Sequence, residues 1–160
     1  MLRVCAMKRL AGKEYHCFYE LALDLVGGKW KPIILYHLAL CGRLRFGELR
    51  RTISAVSERM LARQLKELEA DGLILREAHA EVPPRVDYTL TPIGRKIIPA
   101  LLALRRFGMD YEDFLGGRDL FASDEYESRE DPVVVDGVVE MPKDRGACCG
   151  ADRGTGGEAD

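Results

Sequence analysis

The chain lacks any apolar run approaching the roughly 20 residues that a membrane-spanning helix requires. Its start, MLRVCAMKRLAGKEYHC, is basic and has no apolar stretch of signal-peptide length. A cytoplasmic protein without membrane association is therefore expected. Cysteine is scarce and its count is odd: 5 in 160 residues, in a chain that is 47% hydrophobic and able to build its own core. That argues against a secreted disulfide framework. No Cys-x-x-Cys occurs and no histidine lies close to Cys148-Cys149, so a structural zinc site is not expected, nor is any other metal or cofactor. Catalytic constellations are missing too. The nearest approach to a nucleophile with its base is His16-Cys17, and adjacent residues on a helix point in different directions. The chain reads as a non-enzyme, and it contains no internal repeat.

A net positive charge is also lacking, the formal value being −2, but the charges are segregated. Residues 1–106 carry 19 Lys and Arg against 11 Asp and Glu, while residues 107–160 carry 5 against 15. A basic body with an acidic appendage suits a domain that binds a polyanion. The expected organisation is a flexible arm over 1–13, one folded domain over 14–115, and an acidic, largely disordered tail over 116–160.

Within the domain, Phe18, Leu21, Ala22 and Leu25 recur at helical spacing from Tyr15 to Val26, and Gly27-Gly28 ends the run. A second helix opens at Trp30, tolerates Pro32 in its first turn, buries Ile33, Ile34, Leu35 and Leu38, and closes at Cys41-Gly42. A short helix covers Phe46–Thr52. After the connection Ile53-Ser54-Ala55-Val56, Ser57 caps a helix that runs to Asp71 and stops at Gly72. Two strands follow, over Leu73–Glu77 and Arg85–Leu90, with Leu73, Leu75, Val86, Tyr88 and Leu90 facing one way. Thr91-Pro92 then starts a long helix to Leu115, bent at Pro99. Val133–Val139 suggests a small hairpin around Asp136-Gly137.

This order describes a mainly α fold with a small antiparallel β-wing: a winged helix-turn-helix with a long C-terminal dimerisation helix. The helix from Ser57 tests that reading. With Leu61 at 0° and about 100° per residue, Leu65 falls at about 40° and Leu68 at about 340°, a buried stripe. Lys66 falls at about 140°, Arg59 at about 160° and Arg63 at about 200°, with the small Ala62 at about 100°. Such a face suits the major groove, where arginine can bridge two acceptors on a guanine edge. Phosphate contacts are expected from Lys29 and Lys31 at the start of the second helix, from Arg43, Arg45, Arg50 and Arg51 around the short helix, and from the Pro84-Arg85 segment. The expected DNA-contacting set is thus Lys29, Lys31, Arg45, Arg50, Ser57, Arg59, Arg63, Lys66, Pro84 and Arg85. A winged helix used only for protein interaction is the alternative, and it would carry an apolar or acidic recognition face.

Four stretches, CFYELALDLVGGKW from Cys17, RFGELRR from Arg45, SERMLARQLKELEADGL from Ser57 and VPPRVDYTLTPIGR from Val82, resemble the HxlR-type winged-helix transcriptional regulators in their order and spacing. The resemblance covers roughly residues 15–110. It implies a sequence-specific regulator that binds double-stranded DNA as a homodimer, with its recognition helix at Ser57–Asp71 and its wing around Pro83–Arg85. It also implies pairing through the Tyr15–Val26 and Pro92–Leu115 helices. The second of these carries more apolar surface (Ile97, Leu101, Leu104, Phe107, Tyr111, Phe114) than one small core needs. Several such regulators use a cysteine just before the first helix as a thiol switch, and Cys17 resembles that position. A helix N-terminus, with Lys13 and His16 nearby, would favour the reactive thiolate, and a small oxidant or electrophile would be the signal. Cys41 reads as a packing residue.

Overall fold

The computed structural model describes residues 7–10, 12–80, 82 and 84–116, together with the strands Val133–Val135 and Val138–Glu140. Strands β1 (Lys8–Leu10) and β2 (Lys13–Tyr15) form an antiparallel hairpin whose turn uses Gly12 at φ 81°, a conformation that suits glycine. Within the segment expected to be a loose arm, Lys8–Leu10 thus pair with Lys13–Tyr15. Because Tyr15 ends β2, helix α1 (Phe18–Val26) begins later than its apolar periodicity suggested. Cys17 is its N-cap, its Sγ accepting the Glu20 N–H at 3.4 Å.

Helix α2 (Trp30–Cys41) leads through β3 (Arg43–Arg45) into α3 (Phe46–Thr52), and a turn then delivers α4 (Glu58–Ala70). Ile34, Leu35 and Leu38 of α2 and Leu61, Leu65 and Leu68 of α4 are at most 2% exposed and share one core with Leu44, Leu49, Val56, Tyr88 and Leu90. Burying an aliphatic side chain of this size contributes about 1.5–3 kcal/mol, so the α2–α4 contact fixes the orientation of α4. Gly72, at φ 71°, ends α4 in the left-handed conformation expected of a residue just past a helix.

The sheet has three strands, not two. β5 (Arg85–Leu90) lies between β3 and β4 (Ile74–His79), antiparallel to both. Arg-Leu-Arg is too short to announce a strand, yet Leu44 is 1% exposed between two exposed arginines. Leu75, expected to face inward, is 49% exposed, whereas Leu73 and Ile74 are buried. The reason is that Leu73 belongs to the turn. Its N–H bonds to the Leu68 carbonyl and its own carbonyl accepts the Thr91 N–H, so strand alternation starts at Ile74, opposite Leu90.

The long C-terminal helix is divided. Thr91 caps α5 (Pro92–Arg95), its Oγ1 accepting the Gly94 N–H at 3.1 Å. The chain then breaks at Lys96-Ile97 and restarts as α6 (Ile98–Phe114). Pro99 does not bend a continuous helix. It occupies the first turn of a new one, where its missing N–H has no intrahelical partner to lose. Strands β6 (Val133–Val135) and β7 (Val138–Glu140) pair with Val135 opposite Val138, at the position read as a hairpin. The remainder of 117–160, with Cys148-Cys149, and residues 1–6 with Cys5, lie outside the described residues, as does Pro83 of the wing.

Gly94 is buried where α5 crosses the Leu73 carbonyl, and a Cβ there would overlap that backbone oxygen. Gly94→Ala is therefore expected to destabilise the fold by about 1–3 kcal/mol. Urea unfolding should show a lower midpoint with unchanged slope; an unmoved midpoint would mean that α5 does not pack tightly on the Leu73 carbonyl.

Candidate nucleic-acid interface

The second helix of the turn is aimed by local chemistry at both ends of its first turn. Ile53 and Val56 in the connection are buried. Ser57 is extended and its hydroxyl accepts the Met60 N–H at 3.3 Å. Val56 just before this cap and Leu61 just after the first turn are both in the core, the positions of a hydrophobic staple that sets the entry angle of the chain. With Leu61, Leu65 and Leu68 inward, Arg59, Ala62, Arg63 and Lys66 are exposed on the opposite face. The Arg63 side chain is 71% exposed, and its Nε donates to Glu67 Oε1 at 2.8 Å. Arg59 and Lys66 have no ion pair among the described residues. The hydrogen bond from Arg63, assisted by Lys31, holds the Glu67 carboxyl below its ordinary range.

Two cations expected to reach phosphates are used internally. Lys31 is buried, its Nζ lying 3.4 Å from Glu67 Oε2 and 3.3 Å from Asp71 Oδ2 and donating to the Leu25 carbonyl at 3.3 Å. It ties the start of α2 to the end of α4 and is removed from the surface set. Arg50 is half-buried and donates to the Ser54 carbonyl at 2.9 Å, bracing the turn instead of projecting from it. Lys29 does remain exposed, with its amine 4.6 Å from the centre of the Trp30 ring, a cation–π distance.

At the wing, Arg45 is exposed and Pro84 is exposed, while Arg85 is half-buried. A cleft of about 440 Å³ lies between the strand start at Pro84, Arg85 and Val86 and the helix start at Arg45, Phe46 and Gly47. Beside it sits a group that the sequence did not announce. Asp87 is 1% exposed and accepts from Arg85 Nε at 3.0 Å and Arg85 Nη2 at 2.8 Å. His79 Nε2 lies at 3.1 Å, Arg43 Nε at 3.6 Å and Arg45 Nε at 3.7 Å from the same carboxylate. The Arg85 hydrogen bond outweighs the opposing effect of burial and lowers the Asp87 pKa, with Arg43 and His79 adding to it. An acid in a strand two residues after an arginine was the available signal, but acids on outer strand faces are ordinarily solvated.

Two helices present apolar faces to solvent. On α6, Leu104, Phe107, Tyr111 and Phe114 are 52–80% exposed, at spacings of three and four that put them on one side. Their rings stack in sequence, with centroids 6.2 Å apart for Phe107–Tyr111 and 6.0 Å for Tyr111–Phe114. On α1, Phe18, Tyr19 and Leu23 are likewise exposed, and the helix has no fully buried residue. Cys17 is an exposed free thiol and lines a cavity of about 450 Å³ with Leu10, Phe18 and Leu21. The cations expected to assist it are already paired: His16 with Glu20 at 3.1 Å and Lys13 with Asp24 at 2.8 Å. Cys41 is half-buried and is not a free thiol. No described helix is long and apolar enough to cross a membrane.

Comparison with known proteins matches residues 25–114 to the HxlR-like helix-turn-helix family. The HTH-type transcriptional regulator YdeP of Bacillus subtilis (strain 168) is 47% identical over 97 residues, 61% of this chain and 75% of its own. An HTH-type transcriptional regulator of Methanothermobacter thermautotrophicus is 50% identical over 98 residues, 61% of this chain and 74% of its own. Among solved structures, the redox regulator HypR in its reduced form superposes with a TM-score of 0.59 at 43% identity, covering 64% of this chain and 100% of that one. Its oxidised form gives 0.55 at 42%, covering 65% and 100%.

The placement of Lys31 has a measurable consequence. Lys31→Ala leaves Glu67 and Asp71 facing each other without their shared cation. Because both carboxylates are about a third exposed, the expected loss is about 1–3 kcal/mol, below that for a fully buried pair. Thermal unfolding should shift while the salt dependence of any nucleic-acid binding stays as in the wild type. A shallower salt dependence would return Lys31 to the surface set.

Proposed function

Because the chain belongs to the HxlR-like helix-turn-helix family, we propose that it is a cytoplasmic regulator of transcription that binds specific double-stranded DNA sequences as a homodimer. The observation that carries this reading is the exposed Arg59, Arg63 and Lys66 ridge on a helix whose leucines are buried. Inserted in the major groove, the ridge offers guanidinium groups to base edges and an ammonium to a nearby phosphate. Ala62 leaves room for close approach. Arg63 exchanges its Glu67 contact for the base, at small cost because that pair is largely solvated. In this reading Lys29, Arg45, Ser57, Pro84 and Arg85 supply backbone contacts, which position the protein without reading sequence. The related proteins named as transcriptional regulators support a regulatory, non-enzymatic role.

The exposed faces of α1 and α6 support pairing with a second copy, since an apolar stripe with three stacked aromatic rings is costly to leave in water. Two-fold pairing presents two recognition helices to one side of the duplex, spaced by about one helical turn or a multiple of it. A cationic ridge also disfavours the alternative of a protein-interaction module. Titration with mixed-sequence DNA separates the two readings, because each phosphate contact releases counterions and affinity then falls steeply with salt. Salt-insensitive or absent binding would favour the protein-interaction role.

A half-site obtained by selection from a random DNA pool provides the finer test. Arg63→Ala is expected to weaken binding to it by about 1–3 kcal/mol and to relax one base position. Equal loss on selected and random DNA would restrict Arg63 to phosphate contact.

We further propose that Cys17 makes the regulator thiol-responsive. Exposure, the N-cap position and the likeness to a redox regulator solved in two redox forms support this. Modification of Sγ by an oxidant or electrophile removes the α1 cap and adds bulk beside the apolar face of that helix. Operator binding by the wild type should respond to a mild oxidant, and that of Cys17→Ser should not. Equal responses would exclude Cys17 as the switch.

A further inference from the structure

Strand alternation identifies the two faces of the sheet. Leu44, Tyr88, Leu90 and Ile74 point into the core. Arg43 and Arg45 flank Leu44, and Asp87 precedes Tyr88, so these three side chains occupy the opposite, outer face. In register, Arg45 stands opposite Asp87 and His79 opposite Arg85. An aspartate on an outer face would ordinarily be solvated, yet the Asp87 side chain is only 1% exposed. Its cover is three arginines and a histidine: Arg43, Arg45, His79 and Arg85 approach it from three strands. The Arg43 and Arg45 side chains nevertheless remain 57% and 53% exposed. Each approaches the carboxylate through Nε at ion-pair distance, while more than half of its side chain stays in solvent. Arg45 and Arg85 also form the two walls of the cleft between the wing and α3. Glu77, paired in register with Asp87 on the other side, is exposed and holds none of these cations among the described residues.

We propose that Asp87 is a positioning residue of the DNA interface, which preorients Arg43, Arg45 and Arg85 as one phosphate-gripping group at the base of the wing. The proposal rests on the DNA-binding reading above and gives Arg43, expected from the sequence to reach a phosphate, a defined place beside Arg45 and Arg85. Long cationic side chains lose much rotamer freedom when a ligand immobilises them, and that loss weakens binding. Pairing these guanidinium groups with Asp87 during folding moves part of the ordering to a step before DNA arrives. A carboxylate is suited to this because it accepts a two-point contact from Arg85 while leaving other approach directions open to its neighbours.

Positioning and simple charge make opposite predictions for Asp87→Asn. Counting charge alone, loss of an anion beside the interface should tighten binding and steepen its salt dependence. If Asp87 positions the arginines, affinity falls roughly tenfold or more. The slope of log affinity against log salt should also become shallower, by about 0.9 for each phosphate no longer neutralised. Arg85→Lys is the second variant, since it keeps the charge but cannot make the forked hydrogen bonds to Asp87. It should reproduce the weaker binding and shallower slope. Both are measured by fluorescence anisotropy on the selected duplex, on full-length protein whose fold is checked by circular dichroism. If Asp87→Asn does not fold, Arg85→Lys decides. Tighter binding by Asp87→Asn, or wild-type affinity and slope in Arg85→Lys, would overturn the proposal. Wild-type protein without salt-dependent binding would instead overturn the DNA reading itself, so the two failures are distinguishable.

Discussion

The packing of α4 against α2 is the constraint from which the rest of the molecule follows. Leu61, Leu65 and Leu68 are at most 2% exposed in a core shared with Ile34, Leu35 and Leu38. At about 1.5–3 kcal/mol for each buried leucine, that stripe alone is comparable with the net stability of a small domain. No rotation of α4 could expose another face without losing it. Because a helix advances by about 100° per residue, fixing the leucines fixes Arg59, Arg63 and Lys66 outward. Lys31 adds a second tie at the other end of the helix. Glu67 contacts both Lys31 and Arg63, so one carboxylate links the buried anchor to the exposed ridge.

What could be read in advance was chemistry that acts over a few residues. Ser57 as a cap, Gly72 as a terminator, Thr91-Pro92 as a start, and the leucine stripe all depend on near neighbours, and each is found where its local rule put it. What escaped depends on distant parts of the chain. Lys31 beside a helix start looks like a surface cation, and only the arrival of Asp71, 40 residues on, makes it an internal one. Arg43–Arg45 becomes a strand because β5 offers it an edge. The β1–β2 hairpin gave no apolar alternation to read, since its residues are nearly all exposed. Asp87 shows the same limit at the site: its alternation put it on the outer face, but three arginines and a histidine from three strands then buried it.

These differences change the meaning of the positive charge in residues 1–106. The surplus is not one patch. Lys31 and Arg50 hold the helix-turn-helix together from within, Arg85 both pairs with Asp87 and lines the cleft at the base of the wing, and Arg59, Arg63 and Lys66 remain on the surface of α4. A net-charge argument treats all of them alike, whereas burial and partners sort them into those that build the surface and those that constitute it. The sorting also explains how a chain of formal charge −2 can present a cationic front: the field near a surface is set by the charges that reach it, within a Debye length of about 8–10 Å.

In the proposed homodimer, the apolar faces of α1 and α6 connect this front to regulation. In the proposed dimer, neither recognition helix can move relative to its own domain, since α4 is fixed by its core. The quantity left to vary is the spacing between two rigid domains, which the meeting of the α1 and α6 faces determines. Cys17 caps α1 directly beside Phe18 and Tyr19, so a group added to its sulfur acts at the end of the helix proposed to pair. In the proposed switch, a chemical change there acts on DNA binding through geometry between subunits, and rigidity within each subunit lets a small shift at the interface reach the DNA.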